Sequence, residues 1–215
     1  MVKTGGSLFI ALTLVVMLMP LLPPCIIFIR KVWCTAVMNV LRILCLFIFL
    51  QHLATTLLFP STPFIPIAAQ LIEFTLVVYL FKLMITHRQA KEAMNMLMVS
   101  VVSVVITIYA IKGLAAWPNI IPVVQALILV TLAMIILLQR IGNRNIVLLY
   151  EPVFWIAGGV ISYFGMVLFM EIIASSGTGL SQQIQQEKDL VLLGTDMIRF
   201  AFFAIAAYVV PVKES

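Results

Sequence analysis

Seven stretches of this chain, at 7–29, 32–58, 67–85, 94–111, 120–138, 153–174 and 190–210, are almost wholly apolar. Each is close to the roughly 20 residues a helix needs to cross the hydrocarbon of a bilayer. Lipid offers no hydrogen bonds, so a spanning segment must pair its own backbone groups, which an α-helix does. The expected fold is all-α: one polytopic domain of seven transmembrane helices filling residues 1–215. Composition supports this, with 64% of residues apolar and 10% charged, against about 45–50% and about 25% in a soluble domain. The three cysteines, Cys25, Cys34 and Cys45, lie in or beside apolar stretches and do not make a disulfide scaffold. No connector is long enough to form a soluble catalytic domain, so any chemistry must sit among the helices or come from a partner.

The first stretch contains Pro20, Pro23 and Pro24, and each proline removes a backbone donor and crowds the preceding turn. It reads as a retained, kinked helix. A cleaved signal peptide is the alternative, but no small-x-small cleavage site follows Leu8 to Met19. Lys and Arg set the orientation. Arg30, Lys31, Arg88, Lys91, Arg140, Arg144 and Lys213 fall on one side, with Lys82 nearby, and only Lys3, Lys112 and Lys188 on the other. The richer side is expected in the cytoplasm, with the N-terminus outside and the C-terminus inside. Trp33 and Trp155 then sit at the inner interface and Trp117 at the outer one. The bilayer is the expected surrounding, in a bacterial cytoplasmic (inner) membrane. The net charge of +5 reflects this topology, and no basic stripe with interleaved aromatics points to nucleic acid.

Two of the stretches open alike. Ile65-Pro66-Ile67-Ala68-Ala69-Gln70 is similar to Ile121-Pro122-Val123-Val124-Gln125-Ala126, which suggests that helices two to seven form three hairpins of like orientation.

Ionisable groups inside a bilayer are costly unless paired or hydrated, and they mark function. Here they are Arg42, His52, Glu73, Asp196 and Arg199. At about 1.5 Å rise per residue, His52, Glu73 and Asp196 lie about 9 Å from the outer ends of their helices, with Arg199 a turn deeper. Arg42 lies nearer the cytoplasmic side. Asn39, Arg42, Cys45, Phe49 and His52 form one helical stripe; Gln70 shares a face with Glu73, and Asp196 with Arg199. Two readings follow: a charge-balanced knot holding three helices together, or a polar cavity open to the outside that binds a small ligand or protons. One imidazole with two carboxylates falls short of the usual zinc set, no histidine pair faces a haem, and no lysine lies within helix seven to hold retinal. No metal or other cofactor is expected.

Helix six carries Pro152-x-Phe154-Trp155-Ile156-x-x-Gly159-x-x-x-Tyr163-Phe164. Gly158, Ser162 and Gly165, with Gly159 beside the first, are expected to let a neighbouring helix approach closely. Ser100, Ser103 and Thr107 form a comparable packing stripe on helix four, and Tyr163 is a candidate pocket residue. Through the helix-six string the chain resembles uncharacterised seven-helix bacterial membrane proteins and the membrane-embedded sensor module of some histidine kinases. That resemblance implies signal input, with output through the cytoplasmic end of helix seven. The residues after that helix, Lys213 to Ser215, hold no phosphoacceptor or ATP-binding domain, so a separate cytoplasmic partner such as a histidine kinase is expected to carry the output. A homo-oligomer is left open.

The preferred expectation is a receptor-like signalling protein rather than an enzyme. A small-solute or proton-coupled transporter is the alternative, and an intramembrane metal-dependent hydrolase lacks both a nucleophile–base pair and a full ligand set.

Overall fold

A computed structural model describes residues 13–32, 35–55, 64–112, 120–142, 147–176 and 182–211. Among them every regular element is helical. The seven long helices are α1 (Thr13–Ile29), α2 (Ala36–Leu53), α3 (Phe64–Met84), α4 (Arg88–Lys112), α5 (Ile120–Ile141), α6 (Pro152–Ser176) and α7 (Gln182–Val209), with a single 3-10 turn at Leu148–Tyr150 before α6. Six of them, α2 to α7, are long and apolar enough to cross a membrane, consistent with an integral membrane protein. The described part of α1 is shorter, and 7–12 lie outside the described residues.

Several helix ends depart from the apolar stretches, for physical reasons. Helix α1 tightens to 3-10 geometry at Met19–Leu21, where Pro20 sits. It ends at Arg30, followed by Lys31 at φ 55°, a left-handed C-terminal turn made here by a non-glycine residue. Helix α2 begins after Thr35, whose backbone is extended at φ −86° and ψ 132°, so it starts later than the expected 32. The tail of that stretch, 56–58, lies outside the described residues. Helix α3 starts earlier than expected because Pro66 falls in its first turn, where a missing N–H costs nothing. Helix α4 reaches back to Arg88 through polar sequence, with an exposed Arg88–Glu92 pair at 2.9 Å, four residues apart. Helix α7 likewise extends to Gln182. Hydropathy marks where lipid contact stops, and these helices continue past that point.

The packing order differs from three hairpins. Helices α1, α2, α3, α5, α6 and α7 each pack on the next, and α7 returns to α1, closing a ring; the α6–α7 contact is the most extensive. Helix α4 packs on α3 outside this ring and makes no extensive contact with α5, so the middle hairpin does not form as a packed pair. Ser100, Ser103 and Thr107 are exposed on α4, which corrects their expected packing role. The Thr107 hydroxyl donates to the Ser103 carbonyl at 2.8 Å, within its own helix.

Inside the ring, Leu41, Leu44, Cys45 and Ile48 of α2, Phe74, Val78 and Phe81 of α3, Leu129 and Ala133 of α5, and Ile156 and Val160 of α6 belong to one buried core. Their three-four spacing is the buried face of each helix. At the end carrying most of the basic residues, two arginines cap neighbouring helices. Arg30 Nη1 donates to the Ala207 carbonyl of α7 at 3.4 Å, and Arg140 Nη2 to the Met84 carbonyl of α3 at 3.5 Å. Cations are favoured there by the unpaired carbonyls of a helix C-terminus.

Candidate functional site

Four of the sequence-selected ionisable residues meet across the ring. Arg199 of α7 is buried; its Nη1 donates to Glu73 Oε1 of α3 at 2.5 Å. Its Nη2 lies 2.5 Å from Asp196 Oδ1, one turn earlier on α7, though off the hydrogen-bonding direction. His52 Nε2 of α2 stands 3.9 Å from the other Asp196 oxygen. The guanidinium also lies over the Tyr163 ring of α6, 3.9 Å from its centroid, and over Phe200 at 4.9 Å. A cation so placed is attracted by the ring's negative face. Three helices, α3, α6 and α7, thus share one guanidinium, and α2 joins the network through His52 and Asp196.

Sequence position explains why these groups converge. Asp196 and Arg199 are three apart and project from one face of α7. The ring turns that face toward Glu73, near the middle of α3. His52 occupies the last turn of α2 while Asp196 is mid-helix, so the equal depths read from the apolar stretches do not match equal distances from the helix ends. Arg42 is not part of the cluster. Its Nη2 donates to Asn39 Oδ1 at 2.7 Å on its own helix, a local pair that the shared stripe concealed.

A cavity of about 340 Å³ opens beside the network at the end of the ring opposite the basic one. It is lined by Thr13, His52, Tyr163, Asp189, Leu192, Leu193 and Asp196. His52 is the partly exposed member, its side chain 28% accessible, whereas those of Asp196 and Arg199 are 7% and 3% accessible. The cavity reaches the charge network through His52 and Asp196, while Arg199 and Glu73 lie behind them.

The close approach of α6 to α7 supports this geometry. A Cβ on Gly159 would lie 3.0 Å from Phe203 Cε1, 3.2 Å from Phe202 Cβ and 3.2 Å from the Arg199 carbonyl oxygen. On Gly158 it would meet the Phe202 ring at 3.2 Å. Gly165 has nothing within 4 Å, so it takes no part in the close approach expected of it, and Ser162 donates to the Gly159 carbonyl of its own helix at 3.0 Å. Helix α6 begins with Pro152, and Trp155 Nε1 donates to the Leu149 carbonyl at 2.9 Å while its ring meets Phe202 edge-on.

Two features were not singled out from sequence. Lys188 Nζ lies 2.6 Å from Glu171 Oε1, joining α7 to α6, because α7 extends through residues that read as connector. Gln125 of α5 is 2% exposed, and neither side-chain amide atom has a hydrogen-bond partner. It follows its proline by one residue less than Gln70 does, which turns it to a different helical face.

Among the described residues no three His, Cys, Asp or Glu side chains converge as a metal-ligand set, and Cys25 and Cys45 are free thiols. Trp33, Cys34 and Trp117 lie outside the described residues. Compared with protein families, curated proteins and solved structures, the chain has no significant match. The resemblance at Pro152 to Phe164 therefore rests on that string alone.

Proposed function

We propose that this chain is a receptor-like membrane protein that senses protons or a small ligand from the outer side of the bilayer and passes the signal to a cytoplasmic partner, of which a histidine kinase is one form. One observation carries this reading: the cavity reaches a buried charge network through an imidazole. With His52 neutral, the carboxylates of Glu73 and Asp196 face a single guanidinium, leaving one negative charge in excess. An imidazolium brings the group to neutrality, so protons are the simplest input. The groups facing His52 are Asp196, with Arg199 and Glu73 behind it, and Asp189 and Tyr163 across the cavity. A proton there changes the pull between α2 and α7, and α7 runs to the basic end where a partner would read it.

Trp155 reports on this, because it packs on Phe202 of α7. In liposomes, with Trp33 and Trp117 replaced by Phe, lowering the outer pH from 8 to 5 is expected to shift Trp155 emission. The shift should vanish in His52→Gln and change in midpoint in Asp196→Asn. An emission titration unaltered by either substitution overturns the proposal.

A proton-coupled carrier is the second reading, favoured by the 3-10 break at Met19–Leu21 in the helix whose Thr13 borders the cavity. Solute uptake driven by a pH gradient in proteoliposomes, abolished by His52→Gln, would put the carrier first.

A further inference from the structure

At the basic end a second cavity, of about 330 Å³, is enclosed by the last turns of α3 and α5 and the short link from α3 to α4. Its lining is Met84, Thr86, His87, Gln139 and Arg140. Among the described residues no carboxylate borders it. Arg140 has no ion-pair partner among the described residues; one Nη reaches the Met84 carbonyl at a long 3.5 Å, which leaves other N–H groups of its five to face the cavity. The imidazole of His87, the hydroxyl of Thr86 and the amide of Gln139 add further donors. Lys91 follows on the first turn of α4 and adds a positive charge at this end, while Arg88 there is paired with Glu92.

Position matters as much as charge. Two membrane-length helices, α3 and α5, end at this cavity, which sets it at the depth of lipid headgroups. Leu138 and Ile141, on either side of Gln139 and Arg140 in α5, are 62% and 55% exposed and offer apolar surface to an acyl chain. A guanidinium binds phosphate oxygens through paired N–H donors, and basic pockets between transmembrane helices are suited to charged headgroups.

We infer that this cavity binds the phosphate of an anionic phospholipid, with Arg140 as principal ligand and Thr86, His87 and Gln139 completing the donors. A free phosphate ion carries the same oxygens, so the test must separate the two sources. Native mass spectrometry of the full chain, released from detergent with phosphatidylglycerol or phosphatidylcholine of identical acyl chains, reads retention directly. Phosphatidylglycerol should be retained about fivefold more than phosphatidylcholine. Arg140→Gln should abolish that preference, Arg140→Lys should keep part of it, and Lys31→Gln, which removes a charge at the same end away from the cavity, should leave it intact. Should Arg140→Gln fail to fold, Thr86→Val with His87→Gln changes two side chains on the interhelical link and is expected to lower the preference about twofold. In a parallel arm with inorganic phosphate, binding of the ion without preference for phosphatidylglycerol overturns the lipid assignment in favour of a free anion. Equal retention of both lipids with no phosphate bound overturns the site altogether, as does a loss in Lys31→Gln equal to that in Arg140→Gln.

Discussion

Arg199→Met is expected to lower the unfolding free energy by about 3–5 kcal/mol, because it strands the carboxylates of Glu73 and Asp196 in a low-dielectric interior without their cation. Both carboxylate side chains are nearly excluded from solvent, 11% and 7% accessible, so water replaces the guanidinium poorly. Lost stacking on Tyr163 adds to the effect. Two further variants separate charge balance from contact. Glu73→Gln leaves Arg199 balanced by Asp196 and keeps an acceptor in place, so it should cost only about 1–2 kcal/mol. Replacing Glu73, Asp196 and Arg199 together by Met, Leu and Met should restore stability to near the starting value, since an apolar set needs no pairing. Reversible unfolding in mixed micelles, followed by far-ultraviolet circular dichroism, measures all three. A triple variant as unstable as Arg199→Met would mean that the ions hold the fold rather than tune it.

Gly159→Leu should cost about 3 kcal/mol, at the upper end of the usual cost of overpacking. The obstruction includes backbone, since the Arg199 carbonyl oxygen would stand 3.2 Å from the new Cβ and cannot rotate away. Helix α7 must therefore move as a body, taking Arg199 and Asp196 with it. Alanine at both positions is the matched control: Gly159→Ala should destabilise, since its Cβ meets the Arg199 carbonyl oxygen at 3.2 Å, whereas Gly165→Ala, with nothing within 4 Å, should be neutral or stabilise by up to about 1 kcal/mol through better helix propensity. Equal costs at Gly159 and Gly165, read by the same unfolding assay, would contradict the close α6–α7 approach.

The charge network was legible from sequence because few ionisable residues interrupt these apolar runs, and helical spacing assigns them to faces. His52, Glu73, Asp196 and Arg199 meet for that reason, with Tyr163 added by its place on helix six. Spacing alone could not distinguish an internal partner from a local one, and Arg42 turned to Asn39. Nor does a run of small residues say which neighbour lies opposite: Phe202 and Phe203 of α7 cover Gly158 and Gly159 but not Gly165. Helix ends misread most where polar residues carry helix past the lipid, as at Arg88 to Glu92 and along the start of α7, and that overhang hid the Glu171–Lys188 pair. The ring order, with α4 outside, depends on long-range packing that no local pattern encodes.

The functional account stands on motion between α2 and α7 when His52 takes a proton. Pulsed electron spin resonance measures it directly, using spin labels at Ala36 and Pro211, exposed positions at the basic ends of these helices, in a background free of other cysteines and reconstituted in nanodiscs. The account predicts a distance distribution that changes between pH 8 and pH 5 and stays fixed in His52→Gln. An identical distribution at both pH values in the protein with His52 intact would contradict it.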